Sequence, residues 1–221
     1  MRFDVISLFP ESLEAYYTSS ILGRAQKTKR IKIHNHDLRK WSGNKHNRVD
    51  DTPYGGGPGM VIRVDVVHRA IKAIYKNKSK DTHIILLTPR GKTYDQKKAH
   101  QLALYKRIIL IAGRYEAIDA RIDHFVDEKI SIGNFVLTGG ELAAACIVDS
   151  VSRLIPGVVG KKESLSEESF ASFHGRLTSV EYPQYTKPEM YLKNKVPQIL
   201  LSGNHQKIAL WRKGKTKLKR A

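Results

Sequence analysis

Two nearly uninterrupted apolar runs dominate the hydropathy pattern, His83–Thr88 (HIILLT) and Arg107–Ala112 (RIILIA). Runs of this length without alternation predict strands buried on both faces, as in a parallel sheet. Phe3–Leu8 and Ile31–His36 are shorter and alternate, and they predict two further strands. Helical spacing marks Val64–Lys76 through Val67, Ala70, Ile71 and Ile74, and Asp95–Tyr105 between the two apolar runs. Pro10-Glu11-Ser12 opens a helical stretch to about Ala25, and Glu141–Leu154 reads as a long apolar helix that starts after Gly139-Gly140. Arg39–Gly59 is polar and glycine-rich, so a long loop is expected there; loops of this length are usually functional. Strand–helix–strand order predicts an α/β fold with a largely parallel sheet, and ligands in such sheets sit beyond the C-terminal strand ends.

Composition narrows the class. The chain has 221 residues and 25.1 kDa, and 39 Lys+Arg against 21 Asp+Glu leave a net charge of +18. One cysteine, Cys146, excludes a disulfide framework and fits a reducing compartment. Its place on an apolar helix predicts a small core residue. No apolar run approaches the roughly 18 residues of a membrane span, and MRFDVISLF reads as a strand, not a signal peptide. A soluble, cytoplasmic protein is expected. The positive charge is clustered: nine basic residues stand against Asp37 between Arg24 and Arg48, and seven stand without an acid between Lys207 and Ala221. Two such clusters point to a long polyanion followed over an extended surface.

Four segments carry residues that let backbone approach a ligand: Pro53–Met60 (PYGGGPGM), Leu87–Gly91 (LTPRG), Ala112–Glu116 (AGRYE) and Ser131–Glu141 (SIGNFVLTGGE). The first lacks the Gly-Lys-Ser/Thr ending of a P-loop, and no G-x-G-x-x-G follows the first strand, so NTPase and Rossmann dinucleotide sites are excluded. His34-x-His36 reads as one face of a surface strand, and no H-E-x-x-H occurs. The last three segments should converge on one sheet edge and frame a pocket.

The strings VDDTPYGGGPGM (Val49–Met60), GRYEAID (Gly113–Asp119), SIGNFVLTGGEL (Ser131–Leu142), DSVSRLIPGVVG (Asp149–Gly160) and VPQILLSGNHQKIALWR (Val196–Arg212) resemble the bacterial tRNA (guanine-N1)-methyltransferase family nearly from end to end and in the same order. The resemblance implies a knotted α/β fold of the SPOUT type, with a deep C-terminal trefoil knot and a small, shortened helical C-terminal domain. It implies a homodimer, methylation of N1 of guanine-37 beside the tRNA anticodon, and S-adenosylmethionine as methyl donor. Mg²⁺ is implied too, with no ligands assigned. Carried over by motif, the donor site is Leu87, Thr88, Pro89, Gly113, Tyr115, Glu116, Ile132, Gly133, Asn134, Phe135, Val136, Leu137, Gly139 and Gly140. The domain reading is a knotted methyltransferase domain over 1–157, a linker over 158–186 and a basic tRNA-binding segment over 187–221.

Guanine N1 carries a proton at neutral pH, so a carboxylate base and a cation near O6 are expected. The resemblance implies Arg153 for the cation. The family's aspartate falls on Glu168 here, with Glu167 adjacent to it. Ala117 stands in place of a family glycine and Asn134 in place of an aspartate; the segment 170–182 is longer than the pattern and the chain ends soon after Trp211-Arg212. Lys215, Lys217, Lys219 and Arg220 are expected to take over part of the anticodon-stem contact. Two other readings stay open, a knotted methyltransferase acting on another RNA position and a catalytically silent RNA-binding relative.

Overall fold

The two apolar runs become central strands covered on both faces, and the alternating run Ile31–His36 becomes an edge strand. A computed structural model describes residues 1–76, 79–159, 169–170 and 179–218, with 179, 217 and 218 by backbone alone. The chain divides into two units, Met1–Gly160 and Lys161–Ala221. In the first unit the order is β1 (Arg2–Ser7), α1 (Glu14–Thr18), α2 (Ser20–Lys27), β2 (Lys32–Asp37), β3 (Asp50–Asp51), β4 (Val61–Ile62) and α3 (Val64–Ile74). It continues with β5 (Thr82–Thr93), α4 (Gln96–Leu102), β6 (Arg107–Ala112), β7 (Ala117–Ile118), β8 (Glu128–Ser131) and α5 (Glu141–Ser152).

Five strands form one all-parallel sheet in the order β2-β1-β6-β5-β8. Side chains alternate between its faces. Val5, Ile85, Leu87, Ile108, Leu110 and Ile130 pack with Ala143, Ala144, Ile147, Val148 and Val151 of α5. Ile6, Ile84, Leu86, Ile109 and Ile111 pack on the other face with Val66, Val67, Ala70 and Ile71 of α3. A small sheet, β3-β4-β7, ties the glycine-rich segment to the chain after β6.

Four expectations change. The strand expected to stop at Thr88 runs on to Thr93, because it pairs with β8 in two stretches separated by a register shift. The helix expected over Pro10–Ala25 is broken at Ser19, with Ser20 at φ +46. There the chain folds back so closely that a Cβ on Gly23 would lie 2.1 Å from the Thr18 carbonyl oxygen. The loop Arg39–Gly59 carries a 3-10 turn, Leu38–Trp41, and strand β3. Cys146 is exposed, not in the core. Helix α5 turns Ala143, Ala144, Ile147 and Val148 to the sheet, which leaves Leu142 and Cys146 on its outer side.

At the N-terminal margin of the sheet, Asp4 is fully buried on β1. Its carboxylate accepts hydrogen bonds from Arg2 Nε and Nη2 at 2.8 Å and from Arg107 Nε at 2.7 Å, and it meets His36 Nε2 at 2.7 Å. His36 is therefore half-buried and bonded to the Asp4 carboxylate, while His34 on the same edge strand is exposed. Three neighbouring strands are thus held by one anion. Burial alone would push the Asp4 carboxyl up, but the donors from His36, Arg2 and Arg107 outweigh it and hold it well below the usual carboxylate range.

The second unit contains β9 (Ser179–Val180), the hairpin β10 (Met190–Tyr191) and β11 (Asn194–Lys195), α6 (Gln198–Leu201), α7 (His205–Lys215) and β12 (Lys217–Leu218). The Asn204 side chain caps α7 by accepting from the Lys207 amide at 3.1 Å. None of its residues whose side chains are described is buried. Cohesion comes from contacts such as Tyr185 against Trp211, ring centroids 6.3 Å apart, and the Arg212 guanidinium 4.9 Å above the Tyr182 ring. No helix among the described residues is long and apolar enough to cross a membrane.

Asp4→Asn leaves two arginines without their counter-charge and is expected to cost about 3–5 kcal/mol in urea unfolding at neutral pH. The folded-state value lies below the unfolded one. The contribution is therefore complete above the ordinary aspartate value of about 3.9 and is lost as pH falls toward the folded-state value. The gap between wild type and variant should close over that acid range.

Candidate active site

Three chain segments leave the C-terminal margin of the sheet side by side. After Leu87, β5 loses register with β8, and residues 88–91 bulge outward before pairing resumes at Lys92. Proline at 89 suits the bulge, where no ladder donor is needed. A Cβ on Gly91 would lie 2.5 Å from the backbone of Ile130, so only glycine lets the strand return beside β8 at that point. The second segment follows β6 and contains Tyr115 in left-handed conformation, φ +59. A non-glycine residue held there is strained by roughly 1–3 kcal/mol, a feature found mainly at functional sites. The Glu116 amide donates to the Met60 carbonyl at 3.2 Å, which anchors this loop to the glycine-rich segment.

The third segment leads from β8 into α5. The Gly140 amide donates to the Gly113 carbonyl at 2.8 Å, and a Cβ on Gly140 would lie 2.8 Å from Ala112 Cα. Helix α5 therefore starts directly against the end of β6. The three segments enclose a cavity of about 290 Å³, at the small end of the roughly 300–1,000 Å³ typical of small-molecule pockets.

Every donor-site residue expected from the motifs lines this cavity except Asn134. Residues 133 and 135 both face it, and 134 lies between them without reaching the wall. Arg153 forms the C-terminal cap of α5, where its amide donates to the Asp149 carbonyl at 3.2 Å; it is not among the lining residues. Asp149 also accepts the Tyr16 hydroxyl at 2.5 Å, and that bond, helped by burial, pushes the phenol up to about 12. Glu168 and Glu167 lie outside the described residues, as do Lys219 and Arg220 of the tail.

Three charged residues escaped the motif reading: Arg90, Arg114 and Glu141. Arg90 lines the cavity. Glu141, 5% exposed, receives Arg114 Nε at 3.1 and 3.2 Å on its two carboxylate oxygens. Arg114 lines the cavity and stacks 4.3 Å above the Phe9 ring, against which Arg39 also packs at 5.1 Å. A glutamate directly after two glycines at a helix start is a recognisable N-terminal anion. Its partner lies 27 residues away, and no local pattern marks that distance.

The cavity suits a small molecule that combines apolar surface with hydrogen-bonding groups. Leu87, Ile118, Ile132 and Leu137 supply apolar wall, loop backbone supplies donors and acceptors, and Glu116 supplies a carboxylate. These features fit S-adenosylmethionine. Among the described residues no group of three His, Cys, Asp or Glu side chains could hold a metal ion.

A family model described as tRNA (Guanine-1)-methyltransferase TrmD matches residues 1–221. Curated relatives include a tRNA (guanine-N(1)-)-methyltransferase of Thermomicrobium roseum, 50% identical over 96% of this chain and 78% of the relative. Proteins of the same name are 47% identical in Chloroflexus aggregans, over 96% of this chain and 82% of the relative, and 46% identical in Clostridioides difficile, over 96% and 91%.

Gly140→Ala should separate α5 from β6, lower stability by about 1–3 kcal/mol and weaken S-adenosylmethionine binding by about ten-fold or more by calorimetry. Gly214→Ala, where a Cβ meets open space, serves as the control and should leave donor affinity unchanged.

Proposed function

This chain belongs to the tRNA (guanine-N1)-methyltransferase family, and from that premise we propose that it methylates N1 of guanine-37 in tRNA with S-adenosylmethionine as donor. The observation that carries the reading is the glycine-framed cavity at the C-terminal sheet margin, walled by residues 87–89, 113–116, 132–133 and 135–140. The donor supplies a methyl group on a positively charged sulfur, and the three loops hold it. Methyl transfer is then largely a matter of keeping the acceptor nitrogen in line at near-attack distance.

Glu168 takes the N1 proton as general base, and Arg153 faces the negative charge that develops on O6. With that proton gone, the N1 lone pair would be free to accept the methyl group that the bound donor would supply. Glu168 belongs to the linker 158–186, Arg153 to the domain 1–157. A homodimer, in which the loops come from one protomer and the linker from its partner, completes the site. The exposed apolar side chains Phe135, Val136 and Leu142 support a paired surface there. An all-parallel sheet whose donor loops leave adjacent strands supports assignment to the knotted SPOUT class. A cytoplasmic location follows from a tRNA substrate. The basic helix α7, with Lys207, Arg212, Lys213 and Lys215 and no acid, supports the segment 187–221 as a tRNA-backbone contact.

Incubation with labelled donor and tRNA transcripts carrying guanine or adenine at position 37 tests reaction and position together. Label is expected only in the guanine transcript; label in both, or in neither, overturns the assignment. Glu168→Gln should lower turnover by about 10²-fold or more while donor affinity, measured by calorimetry, stays within error of wild type.

A further inference from the structure

Among the described residues, three charged side chains line the cavity: the cations Arg90 and Arg114, and the carboxylate Glu116. The N-terminal end of α5, a 12-residue helix, also borders it at Gly140, and such an end carries the equivalent of about half a positive charge. Taken alone, this lining has an excess of positive charge. It would repel a ligand whose sulfur is itself cationic.

Glu141 offsets most of that excess. It sits in the first turn of α5, 5% exposed, with no place in the cavity wall. Both carboxylate oxygens accept from Arg114 Nε, at 3.1 and 3.2 Å. A single buried anion therefore answers both the guanidinium and the helix end. Its geometry is tightly bounded, since a Cβ on Gly139 would lie 2.3 Å from Glu141 Oε2 and 2.7 Å from Arg114 Nε. The pair also joins the loop after β6 to the start of α5, the two segments that meet through the Gly140–Gly113 hydrogen bond.

We infer that Glu141 is a positioning and charge-balancing residue: by neutralising Arg114 beside the cavity it lets the site accept a sulfonium, and so sets the preference for the charged methyl donor over its neutral thioether product. The inference rests on the donor reading given above. Transfer of the methyl group turns the sulfonium into an uncharged thioether, S-adenosylhomocysteine, of nearly the same shape. The two ligands therefore separate charge from fit. A carboxylate that only shaped the loops would affect both equally.

Calorimetric Kd values for S-adenosylmethionine and S-adenosylhomocysteine test this in the full-length chain. Glu141→Gln should weaken the donor by about ten-fold or more and the thioether by less than about three-fold. Adding Arg114→Gln to Glu141→Gln should return the ratio of the two affinities toward wild type. Equal losses for both ligands, or no loss for either, overturn the inference. Should Glu141→Gln fail to fold, Arg114 gives the same reading from the other side. Arg114→Lys, which keeps the charge, should preserve the affinity ratio, and Arg114→Gln should shift it toward the donor; an unchanged ratio in Arg114→Gln overturns the inference. Failure of the wild-type chain to bind either ligand would instead sink the donor reading itself.

Discussion

The architecture of the site depends on one close approach, the start of helix α5 against the end of strand β6. Backbone meets backbone there, with the Gly140 amide on the Gly113 carbonyl at 2.8 Å, and no side chain fits between. That approach brings the third loop beside the other two and closes the cavity. It also sets Glu141 where it can reach Arg114. A helix docked a few ångströms further out would leave an open groove and an unpaired arginine.

The two ends of the parallel sheet are built differently. At the N-terminal margin a buried aspartate gathers donors from β1, β2 and β6, so charge is used to hold strands in register. At the C-terminal margin the strands end in glycine, proline and a strained tyrosine. Rigidity at one end permits adaptable backbone at the other, and catalytic loops on rigid scaffolds follow the same division.

The unit Lys161–Ala221 follows another logic. Among its residues with described side chains none is buried, and its order comes from short pairings, a capped helix and aromatic contacts with an arginine. Such a surface offers cations and ring faces, which suit an RNA backbone and unstacked bases. Its excess of lysine and arginine therefore fits contact with a polyanion more readily than a core.

By itself, the sequence determined the class of fold and which segments line the cavity. Apolar runs such as HIILLT and RIILIA are legible because a strand buried on both faces needs no polar alternation, and the glycines after them mark where backbone must approach something. Local pattern also located most of the cavity lining, since each loop is continuous in sequence. Only the tertiary structure decided what depends on distant partners. Strand β5 continues past Pro89 because β8 offers it a second register. The stretch after Pro10 breaks into separate helices because Gly23 folds against the Thr18 carbonyl. Cys146 faces outward because the sheet takes the alanine face of α5. The Arg114–Glu141 pair joins residues 27 apart. Periodicity reports on neighbours within a turn or a strand, whereas charge pairing and register are settled by segments that meet only once the chain has folded.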